Sequence, residues 1–344
     1  MLTVQKEVLA NITKCYALCP ITLKGVPGFL LGTEKEGGCY FYDMQGKLVE
    51  PIWTDFGGLM SIVPYPGAEN AFLATQEFYS PNNSAESRIV LAYWDGASWQ
   101  VHTLVQLPFV HRFDAFQVEG VNHLIACTIK DAHEFKDDWN HPGKIYVGEL
   151  PQDPRDALHG VDLRVLLDGL VKNHGYARHS VDGVPHPLVT SESGVLLLTP
   201  PMGGEDWKTA ALSDIPTSDA ALLDMDGDGK EELITYGPFH GDRFSIFRQD
   251  LKGNWTRVFI RDTDLPFLHA IWVGDILGTP TLLVGHRRGQ NALYAVTYDE
   301  TDSEYKFEKL DEGAGPSNVT YLPETQTIVA ANRETDELAF YHLS

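Results

Sequence analysis

The chain has 344 residues, and its 43% apolar and 11% aromatic content is sufficient for an extended hydrophobic core. The formal net charge of −22 argues against a nucleic-acid or anionic-membrane partner, because both would be repelled. No stretch approaches the roughly 20 apolar residues that cross a membrane, and residues 1–9 lack the pattern of a secretory signal. The cysteines lie mostly in apolar, strand-like runs, so we expect reduced thiols and a cytoplasmic protein.

The chain shows almost no helical periodicity. Short β-branched, aromatic or alternating runs, such as residues 28–31, 88–93 and 282–284, are separated by turn residues. This pattern over the whole length predicts an all-β protein and calls for a search for a repeat.

Two segments match closely. Residues 107–130 (LPFVHRFDAFQVEGVNHLIACTIK) align with residues 265–288 (LPFLHAIWVGDILGTPTLLVGHRR), so that His111 and His269 coincide. In a third copy, which starts at Pro216, Asp219 takes the histidine position. Extending the register gives seven units, which begin near Asn11, Phe56, Pro108, Asn173, Pro216, Pro266 and Pro316. Seven units, whose starts are 43 to 65 residues apart, predict one seven-bladed β-propeller with four-stranded antiparallel blades over residues 1–344.

The two ends of the chain share one blade in this arrangement. The seventh unit stops at Ser344 after its third strand, and residues 2–9 (LTVQKEVL) precede the first unit without belonging to it. We therefore expect residues 2–9 to form the outer strand of the last blade, which pairs the free edges and closes the ring.

A loop between two predicted strands carries acidic residues at alternate positions. Asp224, Asp226, Asp228 and Glu232 occupy loop positions 1, 3, 5 and 9, with Gly229 at position 6. Calcium takes about six to eight oxygen ligands, which such a loop can supply. The sequence predicts a structural Ca²⁺ here, on the bottom face, where a blade's first and second strands are linked.

This loop resembles the D-x-D-G-D-G-x-x-D/E-L signature of FG-GAP (VCBS) propeller repeats, with a specific match over residues 220–236. More loosely, the histidines that begin first strands, the NHG at 173–175 and the GPFHG at 237–241 resemble the propeller of aldos-2-ulose dehydratases. Those enzymes dehydrate keto-sugars such as anhydrofructose and carry additional cupin-type domains that this chain lacks. The resemblance implies a carbon–oxygen lyase.

The starts of the first strands ring the central channel on the top face, and the ends of the second strands surround them. This geometry gathers histidines, arginines and a lysine into one funnel of an acidic chain. The predicted catalytic residues are His111, Lys130, His174, His240, His269, His286, Arg287 and Arg333.

The predicted chemistry is a metal-assisted β-elimination. His111, His174, Asp219 and His269 are candidate ligands for Zn²⁺ or Mn²⁺, which polarises a carbonyl and acidifies the adjacent C–H. A neutral histidine or Lys130 then removes the proton, while an arginine stabilises the enolate. The predicted ligand is a small carbohydrate, namely a keto-sugar or sugar acid.

Other interpretations remain open at this point. A non-catalytic propeller would bind a glycan or a protein partner through the same top face. Glu77 and Glu192 could form the carboxylate pair of a glycoside hydrolase. The insertion at residues 131–143 is either a rim over the funnel or a solvated loop.

Overall fold

The computed structural model describes residues 3–262 and 264–344. Within these ranges, the strands form seven four-stranded antiparallel sheets arranged as a β-propeller, which confirms the predicted fold. A 3-10 helix, Pro154–His159, lies between two strands of blade 3. In the described residues, no helix has the length and apolar character needed to cross a membrane.

The first four blades follow chain order. Blade 1 contains β2 (Cys15–Leu23), β3 (Val26–Thr33), β4 (Cys39–Asp43) and β5 (Leu48–Trp53). Blade 2 contains β6 (Ile62–Pro64), β7 (Ala71–Gln76), β8 (Arg88–Trp94) and β9 (Trp99–Gln106). Blade 3 contains β10 (Val110–Val118), β11 (Val121–Thr128), β12 (Gly143–Leu150) and β13 (Arg164–Leu170). Blade 4 contains β14 (Tyr176–Val181), β15 (Val184–Ser191), β16 (Gly194–Thr199) and β17 (Lys208–Ser213).

The last three blades complete the ring. Blade 5 contains β18 (Asp219–Leu223), β19 (Glu232–Gly237), β20 (Arg243–Gln249) and β21 (Trp255–Arg261). Blade 6 contains β22 (Leu268–Ile276), β23 (Thr279–His286), β24 (Leu293–Asp299) and β25 (Glu304–Asp311). Blade 7 contains β26 (Asn318–Leu322), β27 (Thr327–Asn332), β28 (Glu337–Leu343) and β1 (Val4–Asn11).

Burial falls from the inside of a blade to its outside. Every residue of the second strands β7 and β27 is buried, because neighbouring blades cover both faces of these strands. The outer strand β17 has no buried residue. The core consists of apolar layers between successive blades, as where Phe41 of blade 1 shares a cluster with Phe72 and Val90 of blade 2. All four cysteines are buried and free, as predicted.

The ring is closed by pairing between the two ends of the chain. Strand β1 runs antiparallel to β28, from Val4 opposite Leu343 to Asn11 opposite Glu337, with a bulge between Val8 and Ala10. This confirms closure by the N-terminal strand. The observed strand is shifted slightly from the predicted residues 2–9, of which residue 2 lies outside the described residues.

Candidate functional site

A repeated β-bulge aims side chains at the channel. In blades 1, 3 and 6, the register between first and second strands skips one residue, and the skipped residues are Tyr16, His111 and His269. A bulge leaves its extra residue outside the ladder and turns that side chain away from the pleat. The top face, defined here as the end at which each first strand begins, therefore carries three ring side chains at equivalent positions.

The same backbone turn precedes these positions. Lys14, Phe109, Lys172 and Phe267 have φ values of 51°, 62°, 50° and 63°. Each lies two residues before Tyr16, His111, His174 and His269, respectively. The left-handed region is uncommon for residues other than glycine, so its recurrence in four blades marks one shared local structure.

Hydrogen bonds to the next blade fix the ring orientation of three histidines. The Nδ1 atoms of His111 and His269 lie 3.0 and 2.8 Å from the carbonyl oxygens of His174 and Ser317. The Nδ1 atom of His174 lies 3.1 Å from a carboxylate oxygen of Asp219. Because these oxygens only accept, each Nδ1 carries a proton, and Nε2 is the ring nitrogen left for other partners. Metal-binding histidines are commonly oriented in this way.

Three imidazoles converge on one point. Nitrogen atoms of His174, His240 and His269 all lie within 4.8 Å of one another, and these residues are called the histidine centre below. The Nε2 atoms of His174 and His240 are 3.2 Å apart, and Tyr16 Oη lies 2.9 Å from His269 Nε2. Two ring nitrogens at that separation need a proton or a cation between them.

The fold holds His111, His240 and His269 in the neutral form. Burial lowers the pKa of His111, His240 and His269 well below the ordinary value, and adjacent histidines and arginines lower it further. Neutral imidazole is the form that binds a metal ion. Three converging imidazole nitrogens suit Zn²⁺ and other borderline divalent ions, and Tyr16 would give up its contact with His269 Nε2 if that nitrogen bound the ion.

Asp219 has a different position from the one predicted. It was expected as a metal ligand, but its carboxylate accepts from His174 Nδ1 and from the hydroxyl of Ser218. Burial favours a higher pKa, yet His174, Arg112 and Ser218 outweigh it and lower the pKa of Asp219. Asp219 therefore orients His174, and His240 supplies the third converging nitrogen.

His111 lies beside the histidine centre. Its ring centroid is 4.5 Å from that of His174, but it is not one of the three residues whose donor atoms converge. Its Nδ1–H instead holds the backbone of His174 in place.

Aromatic rings cover the centre. Phe78 packs 4.9 Å from His111, Phe239 packs 5.2 Å from His174, and Phe267 packs 4.3 Å from His240, measured between centroids. These three phenylalanines are called the roof below. His174 and His269 of the centre and the adjacent His111 are 1%, 3% and 3% exposed beneath it, whereas His240 is partly exposed, so the structure replaces the predicted open funnel with a largely covered site.

Lys130 and His286, two other predicted catalytic residues, hold loops in place through contacts with backbone atoms. Lys130 is fully buried, with its amine 2.7 Å from the carbonyl oxygen of Asp138 and 4.0 Å from the Trp139 ring centroid. Burial lowers the pKa of Lys130. His286 contacts the carbonyl oxygen of Arg288 through Nδ1 and accepts from the amide of Ala292 through Nε2. Both nitrogens of His286 are therefore engaged.

The predicted arginines belong to an ion-pair network. Arg287 and Arg333 both bind Glu334, at 2.8 and 2.9 Å, and Arg333 also pairs with Glu34. The neighbouring Arg288 is exposed and stacks 4.8 Å above the Phe267 ring, without a carboxylate partner among the described residues.

The structure also locates the two glutamates of the glycoside-hydrolase alternative and the insertion at residues 131–143. Glu77 pairs with Arg88 and Glu192 pairs with Lys172, so each carboxylate has its own cation. The insertion at residues 131–143 folds inward, because its Trp139 packs 5.5 Å from Phe239 of the roof.

Sequence reasoning missed two residues of the site. The left-handed residue two positions earlier places Tyr16 at the position equivalent to His111 and His269. Its side chain, however, is a phenol and not an imidazole. Arg112 follows His111 directly, and its charge helps to lower the pKa values of His111, His240 and His269. The equivalent positions in blades 1 and 6 are Ala17 and Ala270, so the repeat pattern contained no signal for Arg112.

The acidic loop brings three of its four predicted ligands together. Oxygens of Asp224, Asp226 and Glu232 lie within 4.8 Å of one another, whereas Asp228 is exposed and is not part of that group. Arg248 pairs with Asp226 at 2.6 Å and with Glu232 at 2.9 Å. These oxygens suit a hard cation, and Arg248 compensates part of their charge.

No known family model matches the chain, and no curated protein matches it. Among solved structures, it is similar to the β-propeller domain of Cps50 (Swd1) from Myceliophteria thermophila, with a TM-score of 0.61 and 11% identity over 99% of this chain and 100% of that one. A chain of the mitotic checkpoint complex gives a TM-score of 0.60 and 11% identity over 99% of this chain and 95% of that one. At this identity the likeness supports the fold alone.

Proposed function

We propose that this chain is a non-catalytic binding propeller whose top face recognises a protein partner and is organised by a divalent transition metal ion in the histidine centre. The observation that carries the proposal is the roof. His174 and His269 are 1% and 3% exposed, so a sugar cannot reach their ring nitrogens without displacement of the phenylalanines.

The outer side of the roof has the composition of a protein interface. Phe267 is partly buried and is flanked by Arg287 and Arg288, at 4.9 and 4.8 Å from its ring centroid. Aromatic residues and arginine are enriched where protein interfaces contribute most to affinity. On a chain of net charge −22, the exposed Arg288, which has no carboxylate partner among the described residues, makes this surface locally cationic and favours an acidic partner segment. One of the similar folds comes from a protein complex.

The metal ion would have a structural role in this account. Ligands from blades 4, 5 and 6 would be tied together at the channel: His174 precedes β14, His240 follows β19, and His269 lies in β22. Binding at several blades stabilises the folded state because the unfolded chain does not hold these residues together.

Affinity capture with quantitative proteomics tests the binding function. We expect wild-type protein to enrich a defined set of proteins that Arg288→Glu loses, because the charge beside Phe267 is reversed. Lys252→Glu is the control, since Lys252 is exposed in the turn between β20 and β21, at the other end of blade 5. Each enriched protein is then purified and tested for direct binding. An unchanged set with Arg288→Glu would contradict the proposal.

A carbon–oxygen lyase acting on a keto-sugar or sugar acid is the second candidate, and the phenol of Tyr16 favours it. Tyr16 Oη lies 2.9 Å from His269 Nε2, and burial raises the pKa of Tyr16, so the phenol stays protonated. A neutral phenol can protonate the oxygen that leaves when a base removes the adjacent C–H proton. This chemistry requires the roof to open.

An elimination assay at 235 nm separates the two candidates. Protein loaded with Zn²⁺ or Mn²⁺ is screened against keto-sugars and uronates, with His269→Ala as the matched variant. Turnover that His269→Ala abolishes would establish the lyase. Absence of turnover, combined with partner binding, is the outcome that our proposal predicts.

We also propose a structural calcium ion in the acidic loop. The support is the convergence of Asp224, Asp226 and Glu232 oxygens within 4.8 Å and the resemblance to FG-GAP loops. Its position at the far end of β18 from Asp219 separates it from the histidine centre.

A further inference from the structure

A cavity of about 420 Å³ lies in the central channel below the histidines. First strands of blades 1 to 4 and the start of β26 in blade 7 form its walls. Its polar and charged lining includes Ser61, Arg112, Asp114, Tyr176, Arg178 and Asn318. The volume falls in the range of about 300–1,000 Å³ typical of small-molecule sites.

One of the two arginines in this cavity is neutralised. Arg178 grips Asp114 through both carboxylate oxygens, with Nε 2.7 Å from Oδ2 and Nη2 against Oδ1. The hydroxyl of Tyr176 donates to the same Oδ2 at 2.8 Å. Asp114 therefore has no capacity left to compensate a second cation.

The other arginine has no such partner. Arg112 is partly buried and donates to the backbone carbonyl of Met60, and no carboxylate in residues 3–262 and 264–344 lies within ion-pair distance of it. Asp219, which is close enough to feel its charge, is already held by His174 and Ser218. A guanidinium has five N–H donors, so most of those of Arg112 have no protein acceptor.

The cavity therefore has a net positive charge inside a strongly acidic protein. A partly desolvated guanidinium without a counter-ion is unfavourable, and a bidentate carboxylate compensates it with two charge-assisted hydrogen bonds.

We propose that the channel cavity binds a small carboxylate, anchored by Arg112. The planar fork of the guanidinium matches a carboxylate, and the strand walls limit the ligand to a small molecule. Arg112 adjoins the histidine centre, but this proposal does not depend on the top-face interface.

Isothermal titration calorimetry at constant ionic strength tests the proposal on the wild-type protein. Lactate and glutarate are each compared with the corresponding amide, and inorganic phosphate is titrated separately. We expect saturable binding of at least one carboxylate and at least tenfold weaker binding of its amide. If neither carboxylate binds at tens of millimolar, if the amides bind equally well, or if phosphate alone binds, the proposal is wrong.

Matched variants then assign the binding to Arg112. Arg112→Gln should weaken carboxylate binding at least tenfold, and Arg112→Lys should lose less because it keeps the charge. Arg164→Gln is the control, since Arg164 lies on the outer strand of the same blade and pairs with Asp206. Circular dichroism establishes that each variant is folded. A folded Arg112→Gln with wild-type affinity would overturn the assignment, and if that variant does not fold, the wild-type comparison of acid with amide decides.

Discussion

The Nε2 atoms of His174 and His240 lie 3.2 Å apart although the two residues are 66 positions apart in sequence. His174 precedes the first strand of blade 4, and His240 follows the second strand of blade 5. Propeller topology brings both loops to the same end of the channel. The Nδ1–H of His174 is directed to Asp219, so Nε2 is the nitrogen that faces His240.

Asp219 should control metal affinity through His174. Asp219→Asn removes the charge that orients the imidazole but keeps a similar side-chain volume. We expect about a 10- to 100-fold loss of Zn²⁺ affinity, as is typical when a residue that supports a metal ligand is changed. Competition with a chromophoric chelator measures the change. Unaltered affinity would show that Asp219 does not orient a ligand.

Acid should destabilise the metal-free protein at pH values where carboxylates are still ionised. Burial lowers the pKa of His111, His240 and His269 in the folded state, so below the unfolded value of about 6.5 the unfolded chain binds more protons. As far as these histidines are concerned, the free energy of unfolding is highest above a pH of about 6.5. It falls as the pH drops toward the pKa values of the folded state.

Urea unfolding between pH 7.5 and 5, with a chelator present, measures this effect. Replacing one of these histidines, in His269→Asn, should reduce the dependence on pH because one buried titratable group is removed. If His269→Asn has the same pH dependence as the wild type, His269 is not held in the neutral form by the fold.

Calcium should raise the melting temperature through the acidic loop. An ion at about a hundredfold excess over its Kd stabilises the folded state by about 2.7 kcal/mol. Asp226→Asn should abolish most of this gain because it removes a charge from one of the converging ligands. Asp228→Asn is the comparison, since Asp228 lies outside the converging group and its replacement should cost less. An equal response to calcium in wild type and Asp226→Asn would exclude the site.

The closing strand should contribute to the stability of the ring. Leu9 of β1 packs in the cluster that contains Phe29 and Phe340, whereas Val8 on the same strand is 45% exposed. Leu9→Ala should therefore cost on the order of 2 kcal/mol in unfolding free energy, and Val8→Ala should stay within about 0.5 kcal/mol. Equal effects in denaturant melts would mean that β1 is not packed as described.

The fold could be predicted because the information is local and repeated. The match between residues 107–130 and 265–288 fixed the spacing of the units, and residues left over at one end supplied the strand missing at the other. The same alignment brought His111 and His269 to equivalent bulges at the channel.

The details of the site could not be predicted, because they depend on loop paths without a periodic pattern. The roof is formed by Phe78, Phe239 and Phe267, which follow or precede strands in loops of different length. Whether Asp219 or His240 supplies the third converging ligand atom depends on side-chain direction, which the repeat register does not specify.

The central claim is that a divalent transition metal ion in the histidine centre organises the top face. Locating a bound ion in a crystal structure tests it most directly. Anomalous X-ray scattering from crystals of protein purified without chelator, recorded on both sides of the zinc and manganese edges, locates any bound ion. Our account predicts one peak between the ring nitrogens of His174, His240 and His269, which His240→Ala removes. Crystals of protein supplied with excess Zn²⁺ and Mn²⁺ that show no peak there, with His174 and His240 simply sharing a hydrogen bond, would contradict it.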